Sequence, residues 1–552
     1  MKRYELIVIG AGPAGLSAAI EAASWGMKVI VFDENVRPGG QLFKQIHKFF
    51  GSKKHKAKIR GFRIGDTLLK EAEQAGVTVQ LKATVMGVFN NKEITVMMND
   101  QIEHFKGDNI LIATGASENM ITFPGWTLPG VIGAGAAQTL MNLHGVKPGS
   151  KILMVGSGNV GLVVSFQLLQ AGCEVVAIID ASSRIGGYGV HAAKVARTGV
   201  PYYLSHTIIQ AEGEDCVTGA VIGEVDDHWQ IIEGTQKKLD VDTICLAVGL
   251  SPMSQLARMA GCEMIDEAVK GGLVPLCSEY GETSIPGLFC AGDVAGIEEA
   301  SSAMIQGRIA GSVAARRAGY ILDQEFAQKN ADFQESLAQL REGMFGAEKK
   351  GKNLSHTDEG IPLSLTLLQE GYINEAEIQR FPGFSETISS ETKTKGVYPV
   401  IECTQNIPCN PCQDACQQGC ISIGDRITSL PIVTDKEKCS GCGMCVSSCP
   451  GQAIFLIEEN YEEDYVAISL PYEFLPLPQP GEQGLALDRS GQAVGSAEIV
   501  KVRQGKAMDE TAIVTMKVRA KYAASARFYQ QLEGCLSGGS TEALAMKGGE
   551  LE

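Results

Sequence analysis

The chain has 552 residues, 44% hydrophobic and 20% charged, which is enough apolar material for at least three cored domains. Its 64 acids against 48 Lys and Arg give a formal net charge of -16, which argues against nucleic acid or an anionic membrane as the main partner. The apolar runs break well before 18 residues, and glycines stand where the apolar stretch of a signal peptide would continue, so neither a membrane span nor a leader is expected.

In chain order, Glu5 to Ile9 is predicted as a short apolar strand running directly into Gly10, Gly12 and Gly15, spaced G-x-G-x-x-G. The first glycine makes a tight turn, the second lets the backbone approach a pyrophosphate, and the third lets helix and strand pack closely. Leu16 to Trp25 reads as the following helix, whose N-terminus would offer free N–H groups to phosphates. The next strand, Lys28 to Phe32, ends at Asp33 and Glu34, and the 17 residues between Gly15 and Asp33 are the spacing for a carboxylate on a ribose. Strand, glycines, helix, strand and acid in this order predict a dinucleotide site. Gly40 and Gln41, in RPGGQ at 37–41, form a turn suited to running beneath a pyrophosphate or an isoalloxazine. The run from Lys44 to Arg63 is the one basic stretch of an acidic chain, and reads either as a solvated loop or as a docking surface for an anion.

NILIATG at 109–115 is predicted as a buried strand and turn that brings Thr114 and Gly115 to the same site. A second βαβ unit begins at Lys151, with Gly156, Gly158 and Gly161 in GSGNVG and Asp180 at the end of the strand Glu174 to Ile179. An acid there favours NAD over its 2'-phosphate, while Arg184 four residues on keeps NADP open. The motif reads as a site for NAD(P), as a holder of another, non-reacting adenine nucleotide, or as a vestige kept for packing. DTICLAVG at 242–249 repeats the earlier pattern, and IPGLFCAGDVAG at 285–296 contributes Gly292 and Asp293. Ser301 to Ala318 is predicted as a long helix.

Of the 16 cysteines, nine lie between Cys403 and Cys449, which points to metal ligation where no secretory leader is expected. Cys439-x2-Cys442-x2-Cys445-x3-Cys449-Pro450 is the bacterial ferredoxin run, in which three thiolates wrap one [4Fe–4S] cube and the fourth ligates another. Cys403, Cys409, Cys412 and Cys416 form an irregular first copy. Aligning QQGCISIG with PGQAIFLI sets Cys416 against Cys449 and Cys420 against Ala453. This predicts two clusters with crossed ligation, one on Cys403, Cys409, Cys412 and Cys449, the other on Cys439, Cys442, Cys445 and Cys416. Cys420 is left as a core residue or an alternative ligand. Cys173, Cys216, Cys245, Cys262, Cys277 and Cys290 are isolated in sequence and read as small buried hydrophobes.

GAGPAG, ATG at 113–115, GSGNVG and AGD at 291–293 resemble the two-dinucleotide-domain flavoproteins, the fold of thioredoxin and glutathione reductases. The resemblance implies an α/β fold with two Rossmann-like domains and an FAD held by Gly10, Gly12, Gly15, Asp33 and Asp293. No C-x-x-C or C-x-x-x-x-C pair precedes Cys403, so electrons are expected to leave the flavin by another route than a dithiol. PGWTLPGV at 124–131 and GAGAAQTL at 133–140 are similar to the large FAD-containing subunits of heteromeric amino-acid dehydrogenases, the group of dye-linked proline dehydrogenase, opine oxidase and hydrogen cyanide synthase.

That resemblance implies a flavin and iron–sulfur relay for a proline-, sarcosine- or opine-like substrate. It implies a second FAD-containing subunit that oxidises the amine, and room for a small iron–sulfur subunit. Ferredoxin, quinone or NAD would be the acceptor, and the location cytoplasmic. The alternatives are a self-contained NAD(P)H:ferredoxin-type oxidoreductase and a non-catalytic assembly subunit. No residue is identified as a catalytic acid or base.

The expected domains are an FAD-binding domain over 1–120, returning over 256–320; an NAD(P)-binding-like domain over 121–255; a helical connector over 321–398; a 2[4Fe–4S] ferredoxin-like domain over 399–459; and a small β-rich domain with a flexible tail over 460–552.

Overall fold

The structure is a computed structural model that describes residues 1–344, 346, 355–384 and 396–532. The expected flexible tail after Gly534 lies outside the described residues. The chain divides into two compact units, one of Met1–Met120, Gln138–Gly145 and Val248–Asn353, the other of Ile121–Ala137, Val146–Ala247 and Leu354–Glu552.

The first unit is built on a seven-stranded sheet. Its parallel part runs Thr78–Gln80, Val29–Phe32, Lys2–Ile9, Gln101–Ile112, with Leu288–Cys290 beside the last. Glu93–Met98 and Ala83–Val88 continue it antiparallel. A central parallel strand is covered on both faces, which is why Leu6, Ile7, Val8 and Ile9 are all buried with no alternation. Helices Pro13–Ser24 and Ala300–Arg317 pack together with almost nothing between them. A Cβ on Gly307 would stand 2.1 Å from Ala14 O, and one on Gly311 2.4 Å from Ala18 O. Helix Asp323–Arg341, from the expected connector, packs against Ala300–Arg317 through Leu337, Ile305 and Ile309.

The second unit holds two sheets of consequence. A five-stranded parallel sheet runs Tyr202–Leu204, Glu174–Asp180, Lys151–Val155, Thr243–Leu246, Val131–Gly133. A seven-stranded antiparallel sheet runs Val397–Ile401, Ile454–Glu462, Tyr465–Tyr472, Ala512–Arg519, Ala493–Arg503, Gln483–Leu487, Phe528–Gln531. Its first two strands are direct partners, with Ile401 opposite Ile454. The cysteine segment 403–449 is therefore an excursion between two neighbouring strands of one sheet. That sheet crosses the expected boundary at 459/460 without a break, because Ile454–Glu462 pairs on one edge with the strand before the cysteines and on the other with the C-terminal strands. Two further helices of the expected connector, Leu365–Glu370 and Glu375–Ile378, belong to this unit and share a core with Tyr398 and Val400.

Candidate functional site

In the first unit, the strand Lys2–Ile9 delivers the chain to Gly10, whose φ of +104° only glycine adopts freely. A Cβ on Gly10 would meet Ala113 O at 2.4 Å, and one on Gly15 would meet Gly10 O at 1.9 Å. Both glycines are therefore fixed by packing. Gly12 is different: a Cβ there would find nothing within 4 Å. It is the N-cap of Pro13–Ser24, makes no side-chain cap, and no acid follows in the first turn. Open space at the second glycine, above a positively polarised helix terminus, is a cradle that would suit a pyrophosphate.

Asp33 is buried, and its carboxylate is already engaged. Oδ2 accepts from Ala11 N at 2.7 Å, and Oδ1 from Asn35 N at 2.8 Å and Asn35 Nδ2 at 2.9 Å. The acid that the spacing singles out thus braces the glycine loop, while Glu34 beside it is exposed. The turn at 37–41 lies across the same loop: Gly39 N donates to Ala11 O at 2.7 Å, and a Cβ on Gly40 would stand 2.9 Å from Gly12 Cα. Gln41 is exposed. Thr114 Oγ1 donates to Met253 O at 2.8 Å, and Gly115 takes a φ of +73° beside it. Gly292 N donates to Gln306 Oε1 at 2.8 Å, and Asp293 Oδ1 accepts from Glu298 N at 3.3 Å.

The basic run folds in more than either reading anticipates. Lys48, His55 and Arg60 are buried, Lys48 and Arg60 pair in a β-bridge, and Ser301 Oγ donates to His55 O at 3.3 Å. Burial lowers the pKa of His55, against the opposing pull of the Ser336 carbonyl. Two of the cysteines that are isolated in sequence meet in this unit. The neighbouring Cys290 lowers the pKa of the Cys277 thiol, and Cys277 together with burial raises that of Cys290.

The second glycine loop, in the second unit, repeats the first. A Cβ on Gly156 would meet Ala247 O at 2.3 Å, one on Gly161 would meet Gly156 O at 2.0 Å, and one on Gly158 would meet nothing within 4 Å. Asp180 does what Asp33 does: Oδ2 accepts from Ser157 N at 2.7 Å and Ser157 Oγ at 2.6 Å, and Oδ1 from Ser182 N at 2.9 Å. The repeat continues past this acid. Arg184-Ile-Gly-Gly in the second copy stands where Arg37-Pro-Gly-Gly stands in the first. Gly186 N donates to Ser157 Oγ at 3.1 Å and Tyr188 N to Asn159 Oδ1 at 2.7 Å, so this turn also lies along its glycine loop. Arg184 is the counterpart of Arg37, and the R-x-G-G pair is the signal in the sequence that could have found it.

The cysteine segment 403–449 of the same unit includes two short helices, Pro411–Ala415 and Met444–Ser448. Cys420 N donates to Cys416 Sγ at 3.2 Å, and Ala453 N to Cys449 Sγ at 3.4 Å. The two copies are thus matched in geometry at the positions the self-alignment pairs. Burial, then the neighbouring Cys449, pushes the Cys403 thiol up to about 12, and the same causes raise Cys412. Cys439 neighbours Cys442 and Cys416, and Cys445 neighbours Cys439, Cys442, Cys412 and Cys416. Burial, then its contact with Cys416, pushes Cys420 up to about 12. Thiols gathered from both copies, with backbone N–H groups aimed at sulfur, fit an iron–sulfur core that would take them as thiolates. Among the described residues no group of three or more His, Cys, Asp or Glu forms a holder for a single metal ion. The long gap after Cys403 has a physical reason. Gln405 Oε1 accepts from Gly189 N at 2.6 Å, and Asn406 accepts from Asp358 N and donates to Glu359 and Thr428 O, each at 2.8 Å.

The family model for pyridine nucleotide-disulphide oxidoreductases matches residues 4–307, more than half of the chain. The chain belongs to that family. A 4Fe-4S binding domain model matches residues 432–455. The molecule is therefore an oxidoreductase with an FAD-binding fold and a 4Fe–4S domain. It is similar to an opine oxidase subunit of Rhizobium meliloti, 28% identical over 56% of this chain and 61% of the relative. The corresponding protein from strain 1021 is 30% identical over 56% of this chain and 70% of its own. Hydrogen cyanide synthase subunit HcnB of Pseudomonas aeruginosa is 27% identical over 55% and 69%. The chain spans about six tenths of the length of the first of these relatives. Among the described residues, no helix is long and apolar enough to cross a membrane.

Proposed function

We propose that this chain is the FAD and iron–sulfur electron-transfer subunit of a heteromeric amino-acid or secondary-amine dehydrogenase acting on a proline-, sarcosine- or opine-like substrate. The observation that carries the reading is the union, in one chain, of a flavin fold like that of the opine oxidase relatives with a duplicated cysteine loop matched at Cys416 and Cys449. A flavin can take two electrons together and release them singly, and a cubane cluster takes one, so the pair makes a converter between the two kinds of carrier.

Gly10, Gly12, Gly15, Thr114, Gly115, Gly292 and Asp293 hold the FAD. Asp33 fixes the loop, which leaves Glu34 as the carboxylate for the ribose, and Gly40 and Gln41 line the pyrophosphate turn. Two [4Fe–4S] clusters are held, one by Cys403, Cys409, Cys412 and Cys449, the other by Cys439, Cys442, Cys445 and Cys416. Cys420 is a core residue. Gly156, Gly158, Gly161 and Asp180 build a second site for NAD(P) or another adenine nucleotide. The partner is a second FAD-containing subunit that oxidises the amine, joined by a small iron–sulfur subunit, in the cytoplasm, with ferredoxin, quinone or NAD as acceptor.

The test is gentle anaerobic purification from the native cell, followed by a substrate screen on whatever is recovered. Recovery with a second flavoprotein, and bleaching of the flavin by proline, sarcosine or a related amino acid, is the expected result. The completeness of the second glycine loop supports one rival, a self-contained NAD(P)H:ferredoxin-type oxidoreductase. Fast flavin bleaching of the isolated chain by NADH, with silence toward every amine, would decide for that rival.

A further inference from the structure

The interior of the second unit carries more positive charge beside Cys449 than its carboxylates answer. Glu402, adjacent in chain to Cys403, accepts from Arg489 Nη2 at 2.7 Å and from Arg527 Nε at 2.5 Å. The three side chains are 8%, 6% and 0% exposed, so this is an interior group and not a solvated one. Arg197 is a third buried guanidinium. Its Nη2 donates to Gln452 O at 3.1 Å, and Gln452 N in turn donates to Cys449 O. Arg197 and Arg527 flank the buried ring of Phe455 at 5.1 and 5.2 Å. Three buried cations therefore face one buried carboxylate; Glu375, the other carboxylate that Arg527 senses, is exposed. Two donors of this group, Arg197 Nε and Arg527 Nη2, are buried without an acceptor. A small cavity between Gly189, Arg197, Glu402 and Arg489 has room for about one water, which can satisfy a donor but brings no charge.

A buried charge persists only where another charge answers it. Among the described residues on this side of the unit, the candidate is the iron–sulfur core together with its four thiolates, which is a net anion. The other cysteine loop is served differently. Arg503 Nη1 donates to Gly441 O at 3.1 Å and to Cys442 O at 2.9 Å, and its Nε is also buried without an acceptor, but Arg503 as a whole is half-buried and Cys442 is exposed, so water screens charge there.

We propose that Arg197 is the buried counter-charge of the iron–sulfur centre held through Cys449, and that it raises the reduction potential of that centre alone. The inference rests on the two-cluster reading above. The step it governs is a one-electron reduction in which no bond forms and no proton moves. Arg197 acts through its own electrostatic field at the centre and is a positioning residue. One unit charge about 10 Å away through an effective dielectric of about 20 alters such an equilibrium by about tenfold.

The test uses the full chain, purified anaerobically, with dithionite as electron donor and redox titration followed by electron paramagnetic resonance. Iron and sulfide are counted first in the unsubstituted protein. A content of one cluster would overturn the two-cluster reading, and this inference with it. With two clusters present, Arg197→Met is expected to weaken the reduction of one centre about tenfold, a fall of 59 mV for a one-electron couple, and to leave the other in place. Arg197→Lys, which keeps the charge, should restore the original potential. Arg197→Gln keeps a donor for Gln452 O and decides the matter if the methionine variant does not fold. Unchanged potentials for both centres in a folded, fully loaded Arg197→Met or Arg197→Gln protein would overturn the inference and leave the two clusters standing.

Discussion

Gly12 and Gly15 lie three residues apart in one loop, yet alanine should do opposite things at the two. At Gly12 the backbone has φ -78° and ψ -173°, which alanine adopts without strain, and its Cβ would touch nothing within 4 Å. Gly12→Ala should leave the flavin-free protein as stable as before, or up to about 1 kcal/mol more so, because the unfolded chain loses freedom. The added methyl would instead occupy the space above the helix terminus. Loss of one charge-assisted hydrogen bond to the pyrophosphate, about 2 kcal/mol, corresponds to roughly thirtyfold weaker FAD binding. At Gly15 a Cβ would sit 1.9 Å from Gly10 O, which is backbone and cannot swing aside. Gly15→Ala should therefore cost about 3 kcal/mol of stability in the flavin-free protein, the upper range for overpacking. The assay is urea unfolding of both deflavinated variants, with FAD affinity measured by fluorescence quenching. Wild-type FAD affinity in Gly12→Ala, or an equal loss of stability in both variants, would refute the assignment of Gly12 to the cradle.

The same contrast should hold in the second loop, where Gly158→Ala leaves stability intact and weakens NAD or ADP binding by calorimetry, since Gly158 is open and Gly161 is not. Cys420→Ala should retain about eight iron and eight sulfide per chain, whereas Cys416→Ala should fall to about four, measured by iron and sulfide analysis of anaerobic protein. Gln405→Ala strips the buried Gly189 N–H of its acceptor and should cost about 1–3 kcal/mol in denaturant unfolding of the loaded chain. Glu402→Gln leaves Arg489 and Arg527 without a buried carboxylate and should cost about 3–5 kcal/mol in the same assay.

The flavin fold was legible because its signals are local and physically forced. A strand, a glycine that must turn and a glycine that must yield to a helix leave a fixed spacing, and the structure puts Gly10 and Gly15 under those constraints. The matching of Cys416 with Cys449 was legible for the same reason, since each thiol receives a backbone N–H from the residue four positions on. Asp33 and Asp180 stand at the right spacing, but spacing says only where a carboxylate stands. Which donors reach it first depends on the loop's own backbone, and both acids turn inward to hold it.

What stayed hidden joins residues far apart in the chain. Arg197, Glu402, Arg489 and Arg527 lie on four separate segments, and in sequence each is one more charge on an acidic chain. Their burial follows from the antiparallel sheet, which carries its first strand past the cysteines and returns its last to Gln483–Leu487. That path brings Arg527 and Arg489 to Glu402 while the parallel domain supplies Arg197. Gln405 is hidden in the same way: its purpose is a backbone N–H more than two hundred residues earlier, and without that partner the long gap after Cys403 reads as an irregular motif. Local motifs report which groups a chain can hold. The charges that set how readily a held group accepts an electron come from segments that only the fold brings together, and Arg197 beside Cys449 is where that separation can be measured.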